Sequence, residues 1–548
     1  MKIFNIKKVA ILATASASLV LSAMVYADPS DPTLDPSLRD RQMRLDAKRL
    51  QDREIQVAPS ATLKSDTAPA VDEQSGPTFQ LMSVRFTKSN YLNQEQLTAV
   101  VSPWLGKQVS FADIQKMVVE VNKLYQQLGV FTATAILPKQ RIADGVVLVR
   151  LVEGTLGQLA VEDNQYTQRD YIRSWIKHQD DEKAIDIEAL ESDILLYNRT
   201  NDQRLQAELR AGDAFGLTDI VVRVSEPKRD TLQLFVDNYG YASTGEEELG
   251  ALYRRQRLFT DGDRGLLYAQ VSEGTRSLST NYNAPIGQQG WRVGGSASYT
   301  LTEVTAGDFS IADVKGDSYR LALDASKLLW SQQNYWFNWL LSASHIDSET
   351  EIAKSAKLSS NLVDSLQTGL QFNWLANRWQ FNLRQTISYV EVDDRLLNDD
   401  SKLLLHEGNI TSIYQLSQDF YGLAQAGWQY ANKDKIPGTV SFSLGGVYTS
   451  RGYNPGIISG DSGGYGQLEL HYNGWKPYAQ AVDVFGFYDL GGVQSVGARQ
   501  KLQSAGLGLS TSISRYVSVE AVLGRAIETA IPDQDKWQGF IRIAYNAF

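Results

Sequence analysis

The sequence predicts a transmembrane β-barrel of about 16 antiparallel strands over residues 228–548, preceded by an N-terminal helix and two α+β units. The first observation is a long alternation of apolar and polar residues, in which Trp291, Val293, Ala297, Tyr299 and Leu301 share one strand face. The second is a clustering of aromatic residues at segment ends, as at Tyr335, Trp336, Phe337 and Trp339. The third is an internal repeat ahead of these segments. The first two are typical of an apolar outer face, a polar lumen and aromatic girdles.

A soluble β-sandwich is the alternative interpretation of the alternating segments. It would bury apolar faces on only two sheets, and it rarely needs segments this long. A barrel of about 16 strands encloses a water-filled channel unless another segment fills it. At the C-terminus, Ile541, Ile543 and Tyr545 share one phase while Phe548 falls in the other, and a β-bulge would be needed to bring Phe548 into the same phase.

The amino-acid composition argues against some classes of function. The chain has 548 residues and a net charge of −10, without basic blocks, which argues against nucleic-acid binding. It has no cysteine, so neither disulfides nor thiolate metal sites stabilise the fold. The 42 glycines and 26 tyrosines beside only 14 prolines favour β structure over disorder. No cofactor is implied.

Residues 1–27 are predicted to be a secretory signal peptide. Lys2, Lys7 and Lys8 precede an apolar segment, residues 9–25, and Ala27 ends a small-residue cleavage site. A membrane anchor is the alternative, but Asp28 and Asp31 follow without flanking basic residues. We therefore expect export and cleavage, with the mature chain beginning at Asp28.

Residues 28–56 are predicted to contain a strongly charged helix from Asp35 to about Gln56, in which Pro36 suits the first turn. A helix that is polar nearly all round is either exposed or lies in a wet polar cavity. The sequence leaves both open, although the barrel lumen is a natural place for it as a plug. The linker that follows, residues 57–77, could extend to roughly 70 Å.

Residues 78–154 and 155–227 repeat one order of strand, helix, helix, strand, strand. In the first unit these are predicted at Phe79–Thr87, Gln94–Leu105, Phe111–Leu128, Thr132–Leu137 and Val146–Val152. In the second they are predicted at 156–162, Gln168–His178, Ile187–Asn198, Leu205–Arg210 and Asp219–Glu226. The fourth element of each unit is expected at a sheet edge, where backbone groups are unpaired.

A long glycine-rich loop at about 433–465 carries the strongest candidate site. Long loops in compact proteins are usually functional or disordered. Arg451 lies among its glycines, and Asp489 shares strand phase with Asp483, so that both aspartates should face the polar side. We therefore expect the loop to fold inward and pair Arg451 with Asp489.

The segment Gly460-Asp461-Ser462-Gly463-Gly464 matches the nucleophile segment of chymotrypsin-like proteases. That chemistry needs a histidine held by an aspartate and an oxyanion hole. The chain has only His178, His345, His406 and His471, and none stands in the sequence context of that family. We therefore interpret the segment as the glycine-rich end of the loop, and the scattered histidines indicate no metal site.

Together these features resemble the transporters of two-partner secretion (the TpsB family, ShlB/FhaC/HecB-like) in the Omp85 superfamily. The resemblance spans nearly the whole mature chain. It also rests on Asp237-Asn238-Tyr239-Gly240 early in the first barrel strand, on Asn283 to Gly287 after the fourth, and on Ser450-Arg451-Gly452-Tyr453. The last is similar to the family's Val-Arg-Gly-Tyr/Phe, with Ser450 in place of valine. Phe487-Tyr488-Asp489-Leu490-Gly491 resembles its Phe-x-Asp-x-Gly.

The resemblance implies that the two repeats are periplasmic POTRA domains and that the long loop is the family's loop L6. It implies that Arg451, Gly452, Tyr453, Phe487, Asp489 and Gly491 hold loop L6 against the inside of the barrel, as a lock between loop and barrel. Client binding at the edge strands would involve Thr132, Ala133, Thr134, Ala135, Leu205, Gln206, Ala207 and Glu208.

The function that the resemblance implies is export of a partner protein across the outer membrane of a Gram-negative bacterium. The partner would be a large β-helical exoprotein, such as an adhesin, a haemolysin or a contact-dependent toxin. The transporter itself would contact outer-membrane lipid and depend on the barrel-assembly machinery. Two alternatives are a barrel-assembly insertase of the same superfamily, which usually has more POTRA units, and a passive porin, which has none.

Overall fold

The structure is a computed structural model, and it describes residues 35–54, 78–130, 132–177, 185–214, 216–307, 309–353, 356–477, 480–532 and 534–548. The predicted signal peptide, the predicted linker and His178 lie outside these residues. The chain divides into two compact units, one combining the N-terminal helix with Lys228–Phe548 and the other ending at Pro227. Among the described helices, none is long and apolar enough to cross a membrane.

The elements of the first α+β unit are β1 (Phe79–Gln80), β2 (Ser83–Phe86), α2 (Gln94–Val101), a 3-10 turn (Ser102–Trp104), β3 (Gln108–Val109), α3 (Phe111–Gln127), β4 (Ala133–Ile136) and β5 (Val146–Glu153). The unit folds around a three-stranded sheet of order β2-β5-β4. Ser110 and Asp113 form a capping box that begins α3, which buries Ile114 and Val121 against the sheet. The single strand predicted from Phe79 to Thr87 is wrong, because the chain crosses from β1, paired with β3, to β2 at Leu81 and Met82.

The elements of the second unit are β6 (Thr155–Glu162), α4 (Arg169–Arg173), α5 (Ile187–Thr200), β7 (Arg204–Ala211) and β8 (Leu217–Ser225). It repeats the topology of the first three-stranded sheet, with the order β6-β8-β7. In both units the first long strand runs parallel to the central strand, and the remaining strand is an antiparallel edge. The helix predicted from Gln168 is shorter than expected, because after α4 the chain turns to pack Trp175 into the core.

Within the described residues, sixteen antiparallel strands close into a barrel, which confirms the predicted fold class. They are β9 (Asp230–Asp237), β10 (Glu248–Gln256), β11 (Arg264–Val271), β12 (Thr275–Ile286), β13 (Trp291–Glu303), β14 (Val314–Ser331), β15 (Tyr335–Ile352), β16 (Ala356–Leu375), β17 (Trp379–Asp394), β18 (Asp399–Gln415), β19 (Phe420–Ala431), β22 (Ser462–Trp475), β23 (Val482–Ser495), β24 (Ala498–Ser512), β25 (Val517–Ala526) and β26 (Trp537–Asn546). The predicted alternation holds, since Leu321 and Leu323 are exposed on the outside and Ala322 is buried on the lumen side.

The barrel also contains short elements between its strands. Loop L6 includes the two-stranded sheet of β20 (Phe442–Leu444) and β21 (Ile458–Gly460), and 3-10 turns occur at Ser310–Ala312 and Gly438–Val440. Two predicted details differ in the structure. Asp237 ends β9 instead of lying early in it, and Phe548 lies beyond β26. No bulge interrupts the described pairing of β26 with either neighbour, so Phe548 is out of phase because it follows the strand.

The N-terminal helix, α1 (Pro36–Glu54), lies inside the barrel. Side chains of this segment bind barrel strands on opposite sides: Asp35, just before α1, contacts Ser348 of β15, and Asp46 of α1 contacts Arg542 of β26. A helix that reaches several sides of a closed barrel occupies its lumen. Polar residues of α1 and the residue before it are buried there, namely Asp35, Ser37, Arg39, Asp40 and Asp46. Of the two interpretations that the sequence left open, the polar cavity is therefore the one observed.

Candidate functional site

Arg451 lies at the tip of L6 and is buried against the lumen wall, with only 2% of its side chain exposed. Its Nε donates to Asp489 Oδ2 at 2.9 Å, and its Nη2 donates to Oδ1 at 2.5 Å. The Arg451 backbone N–H donates to the same carboxylate at 2.9 Å. This paired geometry is the strong form of an arginine–carboxylate contact, because two donors match two acceptor oxygens. The loop thus folds inward, as its glycines allow.

A second carboxylate completes the arginine site. Arg451 Nη1 donates to Glu469 Oε1 at 2.7 Å, and the guanidinium lies 3.8 Å from the centre of the Phe487 ring. Burial alone would lower the pKa of Arg451, but the bonds to Asp489 and Glu469 outweigh it and raise the pKa above its ordinary value. Arg451 is therefore a buried cation that is fully compensated by anions and by an aromatic face.

Sequence reasoning missed Glu469 as a partner of Arg451. Its alternation with Leu468 and Leu470 already places it on the polar face of β22, but only the strand register brings it opposite Phe487, two residues from Asp489. Glu469 also contacts His471 at 2.7 Å, and His471 contacts Asp483 at 3.0 Å. The arginine site is therefore one end of a polar row along the lumen wall.

The residues beside Arg451 hold the loop against the wall. The Tyr453 side chain is fully buried, and its hydroxyl lies 2.8 Å from the Gln503 carbonyl oxygen and 2.9 Å from that of Glu528. An ideal Cβ on Gly491 would lie 2.9 Å from the Leu444 side chain, so L6 also packs closely over β23. The Ser450 hydroxyl is buried without a hydrogen-bond partner among the described residues. Valine, the family's residue at this position, would leave no such hydroxyl there.

Gly452→Ala is expected to displace L6 and to reduce several-fold the export of a partner protein that the family resemblance implies. A Cβ at Gly452 would lie 2.6 Å from the Ser504 Cβ and 2.7 Å from the Ala526 backbone nitrogen, which cannot move freely. Overpacking of this kind typically costs about 1–3 kcal/mol. Export of the partner protein is the measurement. Gly539→Ala is the matched control, because nothing lies within 4 Å of its added Cβ. Equal secretion by the two variants would contradict the close seating of the loop.

The lumen helix α1 is held by a second cluster of charges. Asp46 accepts hydrogen bonds from Arg542 Nη1 at 2.7 Å, from Nη2 at 2.9 Å and from the Tyr268 hydroxyl at 2.8 Å. The hydroxyl of Tyr448, a residue of L6, also donates to Asp46. Arg542 pairs in addition with Asp237 at 2.7 Å. Helix, loop and barrel wall therefore meet at one buried network.

Other polar contacts lie nearer the N-terminus of α1. Arg41 Nη1 donates to the Ser441 carbonyl oxygen at 2.7 Å, and Nη2 lies 3.4 Å from Glu407. Arg39 packs 3.3 Å over the Tyr241 ring. The described contacts of α1 are thus mostly polar, although the apolar side chains of Leu38, Met43 and Ala47 are buried as well.

The eight predicted client-binding residues lie in the α+β units. The strands β4 and β7 are sheet edges, as expected. Thr132 precedes β4, and its carbonyl oxygen accepts from the Gly154 N–H at 3.1 Å. Two donors expected to be unpaired are in fact paired: the Ala133 N–H bonds to the Val130 carbonyl oxygen, and the Ala135 N–H bonds to Asn122. The sequence could not show this, because the pairing depends on how the helix lies over the edge.

A 16-stranded barrel with an inward arginine loop, a helix in its lumen and two POTRA-like units defines an outer-membrane transporter of the Omp85 type. A family model described as "Haemolysin secretion/activation protein ShlB/FhaC/HecB" matches residues 216–513, more than half of the chain. Another, "POTRA domain, ShlB-type", matches residues 79–154. The chain belongs to the ShlB/FhaC/HecB family of two-partner secretion transporters, and it lies in the outer membrane with its POTRA domains in the periplasm.

Individual proteins agree with this assignment. The chain is 24% identical to the "Heme/hemopexin transporter protein HuxB" of Haemophilus influenzae, over 96% of this chain and 97% of that protein. It is 24% identical to the "Outer membrane transporter CdiB" of Dickeya dadantii, over 85% of each. Among solved structures, CdiB from Escherichia coli has a TM-score of 0.66 at 20% identity and covers 95% of this chain and 99% of that chain, which shows a shared fold.

Proposed function

We propose that the chain captures an unfolded partner exoprotein through its POTRA domains and translocates it through the barrel lumen to the cell surface or medium. The observation that carries this proposal is the lumen helix, which mainly polar contacts hold in place. Polar contacts can be exchanged for water or for another polar chain at little net cost. The occupant of the pore is therefore replaceable, as passage of a polypeptide requires.

The partner we propose is a large β-helical exoprotein, with the activity of an adhesin, a haemolysin or a contact-dependent toxin. Support comes from the family and from relatives that carry the names heme/hemopexin transporter and outer membrane transporter CdiB. Folding of the partner outside the cell would make passage directional. The apolar outer face would contact outer-membrane lipid, and the barrel-assembly machinery would insert the barrel itself.

We propose no enzymatic activity. The Ser462 hydroxyl accepts a hydrogen bond from the Ala431 N–H at 3.0 Å, and Asp461 accepts from the Ile436 N–H at 3.0 Å. Both side chains therefore serve the loop and strand backbone in the segment that resembles a protease motif. This supports a structural role, in agreement with a family of secretion proteins.

Deletion of the gene is expected to remove one exoprotein from the medium while leaving other outer-membrane barrels at their normal levels. Quantitative proteomics of the medium and of purified outer membranes measures both. The exoprotein encoded by a neighbouring reading frame is the first candidate to follow. A general fall in barrel proteins would instead indicate an insertase, and slower uptake of small solutes with normal secretion would indicate a porin.

A further inference from the structure

Each α+β unit uses one asparagine to bind the backbone of its edge strand. In the first unit, Asn122 of α3 accepts from the Ala135 N–H at 2.6 Å and lies 3.4 Å from the Ala135 carbonyl oxygen. In the second, Asn198 of α5 accepts from the Leu205 N–H at 2.7 Å and donates to the Leu205 carbonyl oxygen at 3.0 Å. A carboxamide offers one acceptor and N–H donors, as a peptide group does. Each asparagine therefore takes the place of a residue in an adjoining strand.

The edge of the first unit offers no free donor within β4. Outward-pointing backbone groups alternate along an antiparallel strand, so the residues with the phase of Ala135 are Ala133 and Ala135 themselves. The Ala133 N–H donates to the Val130 carbonyl oxygen at 3.3 Å, and the Ala135 N–H donates to Asn122. Both donors that an incoming strand would need are therefore occupied within the unit.

The edge of the second unit is different. The eight residues of β7 pair with β8 without a register shift. Since the backbone groups of Leu205 point toward Asn198 and away from β8, those of Ala207 and Leu209 point to the same open side. Among the described residues, the backbone groups of these two have no hydrogen-bond partner on that side. The open edge of β7 thus begins just beyond the Asn198 contact.

We propose that an extended segment of the exported partner adds to β7 between Ala207 and Ala211, and that the two asparagines are positioning residues which restrict where it adds. Asn198 ends the paired segment at Leu205, and Asn122 closes the edge of the first unit. The inference rests on the proposed function, which it deepens by naming the capturing edge and its register.

The side chains along β7 define the partner segment that fits. Ala207 and Leu209 face the core side, and Ala207 is buried there. On the opposite face Arg210 pairs with Glu208 at 3.2 Å and with Glu162 at 3.2 Å. A partner strand added beside β7 would extend both the core-facing and the exposed face of the sheet. The edge therefore suits a short segment of alternating residues, apolar toward α5 and polar or charged beside Glu208 and Arg210.

Site-specific cross-linking tests the proposal in the full-length protein. The chain has no cysteine, so Gln206→Cys on β7 and Thr134→Cys on β4 each introduce a unique thiol on the exposed face of an edge strand. Each variant is labelled with a benzophenone maleimide in cells that export the exoprotein of the neighbouring reading frame. Two extra backbone hydrogen bonds correspond to about tenfold in occupancy, so position 206 should cross-link the exoprotein about tenfold more than position 134.

Changes at Asn122 provide the decisive comparison. Asn122→Ala should free the Ala135 N–H, one of the two occupied donors, and raise cross-linking at position 134 by about threefold, toward the level of position 206. Asn122→Asp keeps the acceptor for the Ala135 N–H and should leave position 134 weakly labelled. Lys123→Ala, on the exposed face of α3, is the matched control. Protease resistance of the POTRA domains confirms that each variant is folded.

The outcomes separate this inference from the proposed function. Equal cross-linking at positions 134 and 206 in the parent, or no response to Asn122→Ala in a folded protein, would overturn the restriction by asparagine. Absence of cross-links at both positions during normal secretion would overturn strand addition at these edges. In that case, loss of one exoprotein on gene deletion would still support the transporter itself.

Discussion

Arg451→Ala is expected to abolish most secretion while the barrel remains folded in the outer membrane. The change leaves two carboxylates, Asp489 and Glu469, buried together without their cation, with 0% and 5% of their side chains exposed. Removing one partner of a buried pair typically costs about 3–5 kcal/mol. That cost falls on the seating of L6, because strand pairing in the barrel wall does not depend on Arg451.

Asp489→Ala should have a smaller effect than Arg451→Ala. Arg451 would keep its contact with Glu469 at 2.7 Å and its stacking on Phe487, so the cation would retain one anion. Arg451→Lys should be intermediate, since an ammonium keeps the charge and lacks the planar fork that matches the carboxylate. This ranking of the three variants follows from a site in which Arg451 has two carboxylate partners. It would not follow if Arg451 paired with Asp489 alone.

Secretion of the exoprotein and heat-modifiable migration of the barrel measure the two effects separately. The variant that combines Arg451→Ala with Asp489→Ala should lose less secretion than the product of the two single losses, because either change releases the same loop. Arg525→Ala is the control, since Arg525 lies outside the site and stacks 5.7 Å from Trp537. A double loss equal to the product of the two single losses would show that the residues act independently.

The arginine site shows how far the sequence can predict such a structure. The glycine-rich loop and the shared phase of Asp483 and Asp489 were sufficient to predict an inward arginine paired with an aspartate. Glu469 could not be chosen, because the alternation gives the face of a residue but not its neighbour across the sheet. That neighbour depends on the register of β22 against β23, which loop length and closure of the whole barrel determine.

The edge strands and the lumen helix show the same limit. The order of the elements was sufficient to predict that β4 and β7 lie at sheet edges. The asparagines that bind these strands come from helices, and no local sequence pattern predicts such a contact. For α1, a helix polar nearly all round gave two equal interpretations, exposed or in a polar cavity. Hydrogen bonds from α1 and the residue before it to β11, β15, β18 and β26 show that the helix lies in the polar cavity. These four strands face one another only because the barrel is closed.

Deletion of Asp35–Gln56 is expected to raise the ion conductance of the purified barrel in planar bilayers by a large factor. The 19 residues of α1 extend about 28 Å, close to the thickness of a bilayer core. A helix inside the lumen occupies space through which ions would otherwise pass. Its removal leaves a polar, water-filled channel of the kind that a 16-stranded barrel encloses.

Asp46→Ala should give a graded version of the same result. It removes the contacts of α1 with Arg542, Tyr268 and Tyr448. Arg542 keeps its ion pair with Asp237, so its charge in the barrel wall is not left without an anion. We therefore expect brief openings to the conductance of the deletion variant, separated by closures. Leu45→Ala is the matched control, since Leu45 is adjacent on the helix and half exposed. Unchanged conductance after the deletion would place the helix outside the pore in the membrane, and would remove the replaceable occupant on which the proposed translocation path depends.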